Sequence, residues 1–298
     1  MKKLLFTGAS GFLGYNILSL LKEMYDVDTV GLTDDDDIKI NIANDIPQLN
    51  SHYDIVLHAA GKAHTVPRTK EEEQVFYDVN LRGTIHLCKA LEQVGIPKSL
   101  VFISTVAVYG CECGELIDES HPLNGSSPYA DSKKQAEEYL LNWSKEKNVN
   151  LVILRPSLLA GHKAPGNLGA MVDGIKKGFY LNIGGGKVKK SILMAEDIAR
   201  LLPLVEDKTG VYNVCDSYQP TFGELSVSVA KQLGRRRPLN IPYWMAWCMA
   251  KLGDILGSKA PINTYKLKKM TESLTFCNDK ARRELGWEPL DVLTSYKI

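Results

Sequence analysis

The sequence has no dominant charge. Its 298 residues carry 36 lysines and arginines against 35 aspartates and glutamates, a formal net charge of +1. That balance excludes a general attraction to nucleic acid. Cysteine is sparse and scattered, at Cys88, Cys111, Cys113, Cys215, Cys248 and Cys277. There is no CxxC pair and no cysteine–histidine set with ligand spacing. Neither a disulfide framework nor a metal site is expected, and all six read as reduced thiols of a cytoplasmic protein. Long apolar runs are missing too. The most apolar late stretch, IPYWMAWCMAKLGDILG over 241–257, is shorter than a membrane span and is broken by Lys251 and Asp254. It predicts a buried or groove-lining helix, with peripheral contact to a membrane as the alternative. No signal peptide is expected, because glycines interrupt the first apolar segment.

What is present, and early, is glycine. In LLFTGASGFLGYNILSLLKEM, Gly8, Gly11 and Gly14 stand between an apolar run and a stretch whose Ile17, Leu18, Leu20, Leu21 and Met24 recur at helical spacing. The glycines therefore occupy a strand-to-helix turn. Such a turn aims backbone N–H groups and the positive end of a helix dipole at its ligand, which suits a phosphate. The spacing is Gly-x-x-Gly-x-x-Gly rather than Gly-x-Gly-x-x-Gly, and taken alone it also reads as a purely structural turn.

Strand and helix signals then alternate. The pattern predicts strands over 28–32, 53–61, 99–110 and 151–156, and helices over 71–94 and 128–145, with an acidic turn from Asp34 to Asp37. This βαβ order implies an α/β doubly wound parallel sheet (a Rossmann fold) with its ligand at the carboxyl ends of the strands. Residues 1–160 form the dinucleotide-binding domain in this reading, with room for later segments to return to it. Residues 161–298 form a smaller, mainly substrate-binding lobe. In SPYADSKKQAEEYL, Tyr129 and Lys133 lie four residues apart on one helix face. An ammonium group near a phenol favours the phenolate, and a tyrosine so tuned exchanges a proton with an alcohol near neutral pH.

The glycine turn, the Ser104–Thr105 pair and Tyr-x-x-x-Lys occur in order. Together with HAAG at 58–61, DVNLRGT at 78–84, LRPSLLAG at 154–161, AEDIA at 195–199, YNV at 212–214 and LGWEP at 285–289, they resemble the extended short-chain dehydrogenase/reductase superfamily. The resemblance is to its NAD-dependent nucleotide-sugar epimerase, dehydratase and reductase branch. It implies Tyr129 as catalytic acid/base, Lys133 as ribose ligand and pKa-lowering cation, and Thr105, with Ser104 as runner-up, as the hydrogen-bond partner of the reacting sugar. It places Phe12 and Leu13 at the pyrophosphate and Ala59, Ala60 and Gly61 along the cofactor. Asn80 supports the nicotinamide end, and Pro156 and Ser157 flank the nicotinamide.

Cofactor choice in this fold follows the residue ending the second strand. Thr33 stands where an acid is expected, Asp34 comes one residue late, and no arginine is near; the reading is NAD, with NADP as the alternative. Val106 and Ala107 stand where the superfamily's 4,6-dehydratases carry an acidic pair, which argues against dehydration. What remains is an epimerase or a 4-ketoreductase of a nucleotide-sugar, supplying surface-polysaccharide precursors. Lys190, Arg235 and Asn167 are the expected contacts to that substrate. Competing readings are a dehydrogenase of apolar, steroid-like alcohols and a non-catalytic dinucleotide sensor. The resemblance also implies a homodimer built on the helices around 71–94 and 128–145.

Overall fold

The computed structural model describes residues 1–63, 65–256 and 262–298. Its centre is a seven-stranded, wholly parallel sheet. The first strands are β1 (Lys3–Thr7), β2 (Asp26–Gly31), β3 (Ile38–Lys39), β4 (Ile55–His58) and β5 (Ser99–Ile103). Two later strands, Asn150–Pro156 and Gly210–Val214, complete it. Across the sheet the order is Gly210–Val214, Asn150–Pro156, β5, β4, β1, β2, β3. The order reverses between β1 and β4, which opens the crevice where this architecture takes its ligand.

Successive strand residues feed opposite layers, as a period of two requires. Leu4, Phe6, Leu57, Val101 and Leu154 pack beneath α1 (Phe12–Met24) and the helix Glu196–Val205. Leu5, Val56, Leu100, Phe102 and Ile153 pack beneath α3 (Gly83–Val94) and α4 (Pro128–Lys147). The four central strands, β1, β4, β5 and Asn150–Pro156, are thus buried on both faces, so they read as continuous apolar runs. The strand Gly210–Val214 and the helix Glu196–Val205 return from the second half of the chain to the sheet. Outside the sheet lie three two-stranded parallel pairs, one of which joins Gly114–Ile117 to Leu274–Phe276, and the C-terminal elements have their own apolar cluster around Leu168, Met171, Leu225 and Val229.

Two expected elements are divided. The strand over 99–110 ends at Ile103. Thr105 then caps a 3-10 turn, Val106–Tyr109, its hydroxyl accepting from the Ala107 N–H at 3.1 Å. The helix over 71–94 is split into α2 (Lys70–Tyr77) and α3 by a π-helical turn, Asp78–Arg82. From α3 the Thr84 hydroxyl donates back to the Asn80 carbonyl of that turn. The late apolar stretch forms a helix, Tyr243–Leu256; Gly257, its expected end, lies outside the described residues.

Candidate active site

The candidate residues gather at the carboxyl edge of the sheet. Gly8 follows β1, Ala59–Gly61 follow β4, Ser104 and Thr105 follow β5, and Ser157 follows the strand Asn150–Pro156. Gly8 adopts φ +83°, and a Cβ there would stand 2.7 Å from the Ala60 backbone. A Cβ on Gly14 would lie 2.0 Å from the Ala9 carbonyl oxygen. Both contacts are closed to any side chain, so the turn lies against β4 and α1 packs tightly onto it. Gly11 is the N-cap of α1 and provides no capping side chain. The first-turn N–H groups at Phe12 and Leu13 are therefore left for a ligand, which is the setting a pyrophosphate needs.

The next wall is a buried hydrogen-bond chain. Thr7 Oγ1 lies 2.7 Å from His58 Nδ1, and His58 Nε2 lies 2.8 Å from Thr84 Oγ1. Thr84 spends its proton on the Asn80 carbonyl, so it accepts from Nε2–H and leaves Nδ1 to accept from Thr7. Burial pushes the His58 pKa down to about 3, aided by the charge on Lys133. The imidazole is thus a neutral strut. Thr7 also accepts from the Ala60 N–H at 3.2 Å, which fixes the HAAG turn to β1. Asn80 accepts from the Lys62 N–H at 2.7 Å and donates to Ser132 on α4 at 2.9 Å. It braces the cleft in a supporting position.

On α4, Ser127 caps the helix by accepting from the Ala130 N–H, and Pro128 occupies its first turn. Tyr129 and Lys133 follow one turn apart. Burial raises the Tyr129 pKa, against the lowering effect of the neighbouring Thr105 hydroxyl. This corrects the expectation of a phenol lowered by Lys133. The lysine Nζ instead donates to the Ile103 carbonyl at 2.8 Å and lies over the Phe102 ring at 4.5 Å. Burial lowers the Lys133 pKa to about 8, against the raising effect of Glu137. A Cβ on Gly61 would sit 3.2 Å from Lys133 Nζ and 3.1 Å from Asn80 Oδ1. Glycine at 61 thus leaves a cradle beside Lys133 and Asn80 that a Cβ would fill.

Ser104 is engaged elsewhere than with Tyr129. Its hydroxyl donates to Glu137, which also receives Arg155 through Nε at 3.1 Å and Nη2 at 2.6 Å. Arg155 continues to the Tyr109 hydroxyl at 3.1 Å, and Tyr109 donates to Asn213 at 2.7 Å. This buried network, which sequence reasoning missed, ties α4 to the 3-10 turn and to the strand Gly210–Val214. Its signal was the Glu one turn beyond Lys133 and an Arg inside an apolar strand. Ser157 Oγ, beside Pro156, is buried without a protein partner, an orphaned polar atom where the nicotinamide end is expected.

The acidic turn is not simply solvated. Asp34 points out, 91% exposed, and pairs with Lys39 at 2.5 Å. Asp36 folds under the end of β2, accepting from the Thr33 N–H at 3.0 Å and the Thr33 hydroxyl at 2.8 Å. Asp37 accepts from the Thr29 N–H and hydroxyl at 2.9 Å. The carboxylate held at the strand end is thus Asp36, two residues beyond the one expected. Together the phosphate turn, the Gly61 cradle and the Ser157 hydroxyl fit a dinucleotide.

The substrate candidates are dispersed. Lys190 is half-buried, its pKa lowered by that burial, and bridges to Leu274 close to Cys113 and Lys269. Asn167 is exposed near the start of the helix Gly166–Lys177. Arg235 lines a separate cleft of about 590 Å³ with Arg236, Arg237 and Tyr180, which none of Thr105, Tyr129 and Lys133 enters. All six cysteines are free, and no metal-binding group of three occurs among the described residues. His121 Nε2 does approach Cys111 Sγ at 3.1 Å, a pairing not expected from the sequence.

Known proteins share this arrangement. The chain is 28% identical to an N-acetyl-alpha-D-glucosaminyl-diphospho-ditrans,octacis-undecaprenol 4-epimerase of Escherichia coli O157:H7, over 91% of this chain and 86% of that one. It is 25% identical to a UDP-glucose 4-epimerase of Vibrio cholerae, over 98% and 92%. The structure of RMD from Pseudomonas aeruginosa, complexed with NADPH, superposes with a TM-score of 0.75 at 21% identity, covering 99% of this chain and 96% of that one. Residues 4–215 match the NAD dependent epimerase/dehydratase family, and the chain belongs to that family.

Proposed function

We propose that the protein is a 4-epimerase of a diphosphate-linked sugar, most simply a nucleotide-sugar, serving surface-polysaccharide precursor synthesis. The observation that carries this is the meeting of Thr105, Tyr129 and Lys133 beside the Gly61 cradle, with apolar Val106 and Ala107 following the threonine. Bound NAD supplies the hydride acceptor for oxidation of the sugar carbon and the donor for its return. Tyr129 takes the proton of the sugar hydroxyl and gives it back on the opposite face. Thr105 holds that oxygen against the phenol. The Thr105 hydroxyl favours the phenolate against the burial that otherwise keeps Tyr129 protonated, and Lys133 would hold the nicotinamide ribose. Val106 and Ala107 carry no proton, so water elimination has no acid or base at those positions.

The two 4-epimerase relatives support epimerisation over one-way reduction. A 4-ketoreductase would use the same three side chains. The two readings separate on cofactor turnover: an epimerase needs no added dinucleotide, whereas a reductase consumes it stoichiometrically. Tyr129→Phe should lower kcat by roughly 10²- to 10⁴-fold while leaving dinucleotide binding intact. Turnover unchanged in that variant would sink the mechanism. A homodimer through α2, α3 and α4 accompanies this reading, supported by Val75 and Leu141, which stay exposed on α2 and α4. Among the described residues no helix is long and apolar enough to cross a membrane; a cytoplasmic location is part of the proposal.

A further inference from the structure

The helix Tyr243–Leu256 turns its small residues inward and its large ones out. Ala246 and Ala250 are fully buried against Leu267, Ile183, Ile241 and Ile262. Trp244, Leu252 and Ile255 are 66%, 62% and 82% exposed, and Trp247, Met249 and Leu256 are exposed with them. An apolar face of this extent on a folded lobe marks an interaction surface. Its composition, two tryptophans and a tyrosine among aliphatic side chains, suits a water–lipid interface.

Charge names the occupant. From Arg235 to Met270 the sequence carries eight basic residues and one acidic residue, a net +7 in a chain of net +1, so the rest carries −6. Arg235, Arg236 and Arg237 are exposed immediately before the strand Leu239–Ile241, which leads directly into the helix. A second copy meeting this face across a two-fold axis would set +7 against +7. An anionic bilayer is complementary to it, while the acidic remainder of the molecule is repelled from the same surface.

We infer that the helix Tyr243–Leu256 and the Arg235–Arg237 triplet form a docking surface for an anionic lipid bilayer, the helix lying in the interface with its exposed face inserted. The adjoining helix Thr264–Thr271 reaches back to the loop after the 3-10 turn, where Lys269 lies 3.6 Å from Glu112. Docking thus sets the catalytic lobe beside the membrane. The inference goes beyond the proposed reaction and does not depend on it.

The test is co-sedimentation of the whole protein with phosphatidylethanolamine–phosphatidylglycerol vesicles and with phosphatidylcholine vesicles. Binding to the anionic vesicles should exceed that to the neutral ones by roughly tenfold or more, and should weaken as salt is raised. Leu252→Glu with Ile255→Glu should abolish it while leaving dinucleotide binding and the circular dichroism spectrum unchanged. Arg236→Glu with Arg237→Glu should abolish the preference for anionic lipid. Three results would overturn the inference: wild-type protein left in the supernatant with both vesicles, binding that survives the Leu252/Ile255 change, or a wild-type oligomer that the same change dissociates without any vesicle binding.

Discussion

Two helices of similar apolar content meet opposite fates. In α1, buried Leu13, Ile17 and Leu21 recur at intervals of four, and the large side chains fill the sheet's core. In the helix Tyr243–Leu256, Ala246, Ala250 and Gly253 recur at the same kind of interval, and the large side chains stay outside. The contrast shows that which residues hold the inward stripe, not how apolar a helix is, decides what is buried. A stripe of small residues brings the helix close to its support and leaves the bulky groups free for something else.

That comparison can be broken from either side. The largest effect is expected at the first helix, where Gly14→Val would drive a side chain into the Ala9 backbone. We expect a loss of about 3 kcal/mol or more, or failure to fold, read by thermal unfolding. A pH titration probes the opposite layer, under α3, through His58, whose folded pKa lies near 3 against an ordinary 6.5. Only the unfolded chain takes up that proton between these values. Stability should therefore hold above about pH 6.5 and fall as pH drops toward 3, and His58→Asn should flatten that part of the profile. At the second helix, Ala250→Leu should cost about 1–3 kcal/mol by overpacking the inward stripe. Leu252→Glu, two residues away on the open face, should change stability by no more than about 0.5 kcal/mol. Equal costs at 250 and 252 would mean that the outward face is covered in solution.

The parallel sheet was legible because its central strands are buried on both faces and each turn carries its own punctuation. The catalytic candidates were legible as spacing: Tyr129 and Lys133 follow one turn apart on α4, and Thr105 is the hydroxyl that acts on the phenol. What spacing cannot encode is where a long side chain goes when its partner is distant in sequence. Lys133 reaches the Ile103 carbonyl, and Ser104 turns to Glu137, because each needs a buried partner thirty or so residues away. The acidic turn misled for the same reason: four consecutive aspartates look alike, yet Asp36 is selected by the Thr33 N–H and hydroxyl. The strand through 99–110 was overextended because the Thr105 hydroxyl caps a turn that apolar Val106 and Val108 conceal. The outward face of Tyr243–Leu256 was only the alternative to a buried helix, because its inward stripe consists of residues that carry little hydropathy signal.

The central claim is that the glycine turn and the Tyr129–Lys133 cleft hold a dinucleotide that is regenerated in every cycle. The direct measurement is the identity and stoichiometry of the small molecule released when the purified protein is denatured, by absorbance and mass spectrometry. About one NAD per chain is the predicted result, since a cofactor restored each turnover need not leave. A protein that releases no dinucleotide and binds none when NAD, NADH, NADP or NADPH is added would contradict the account.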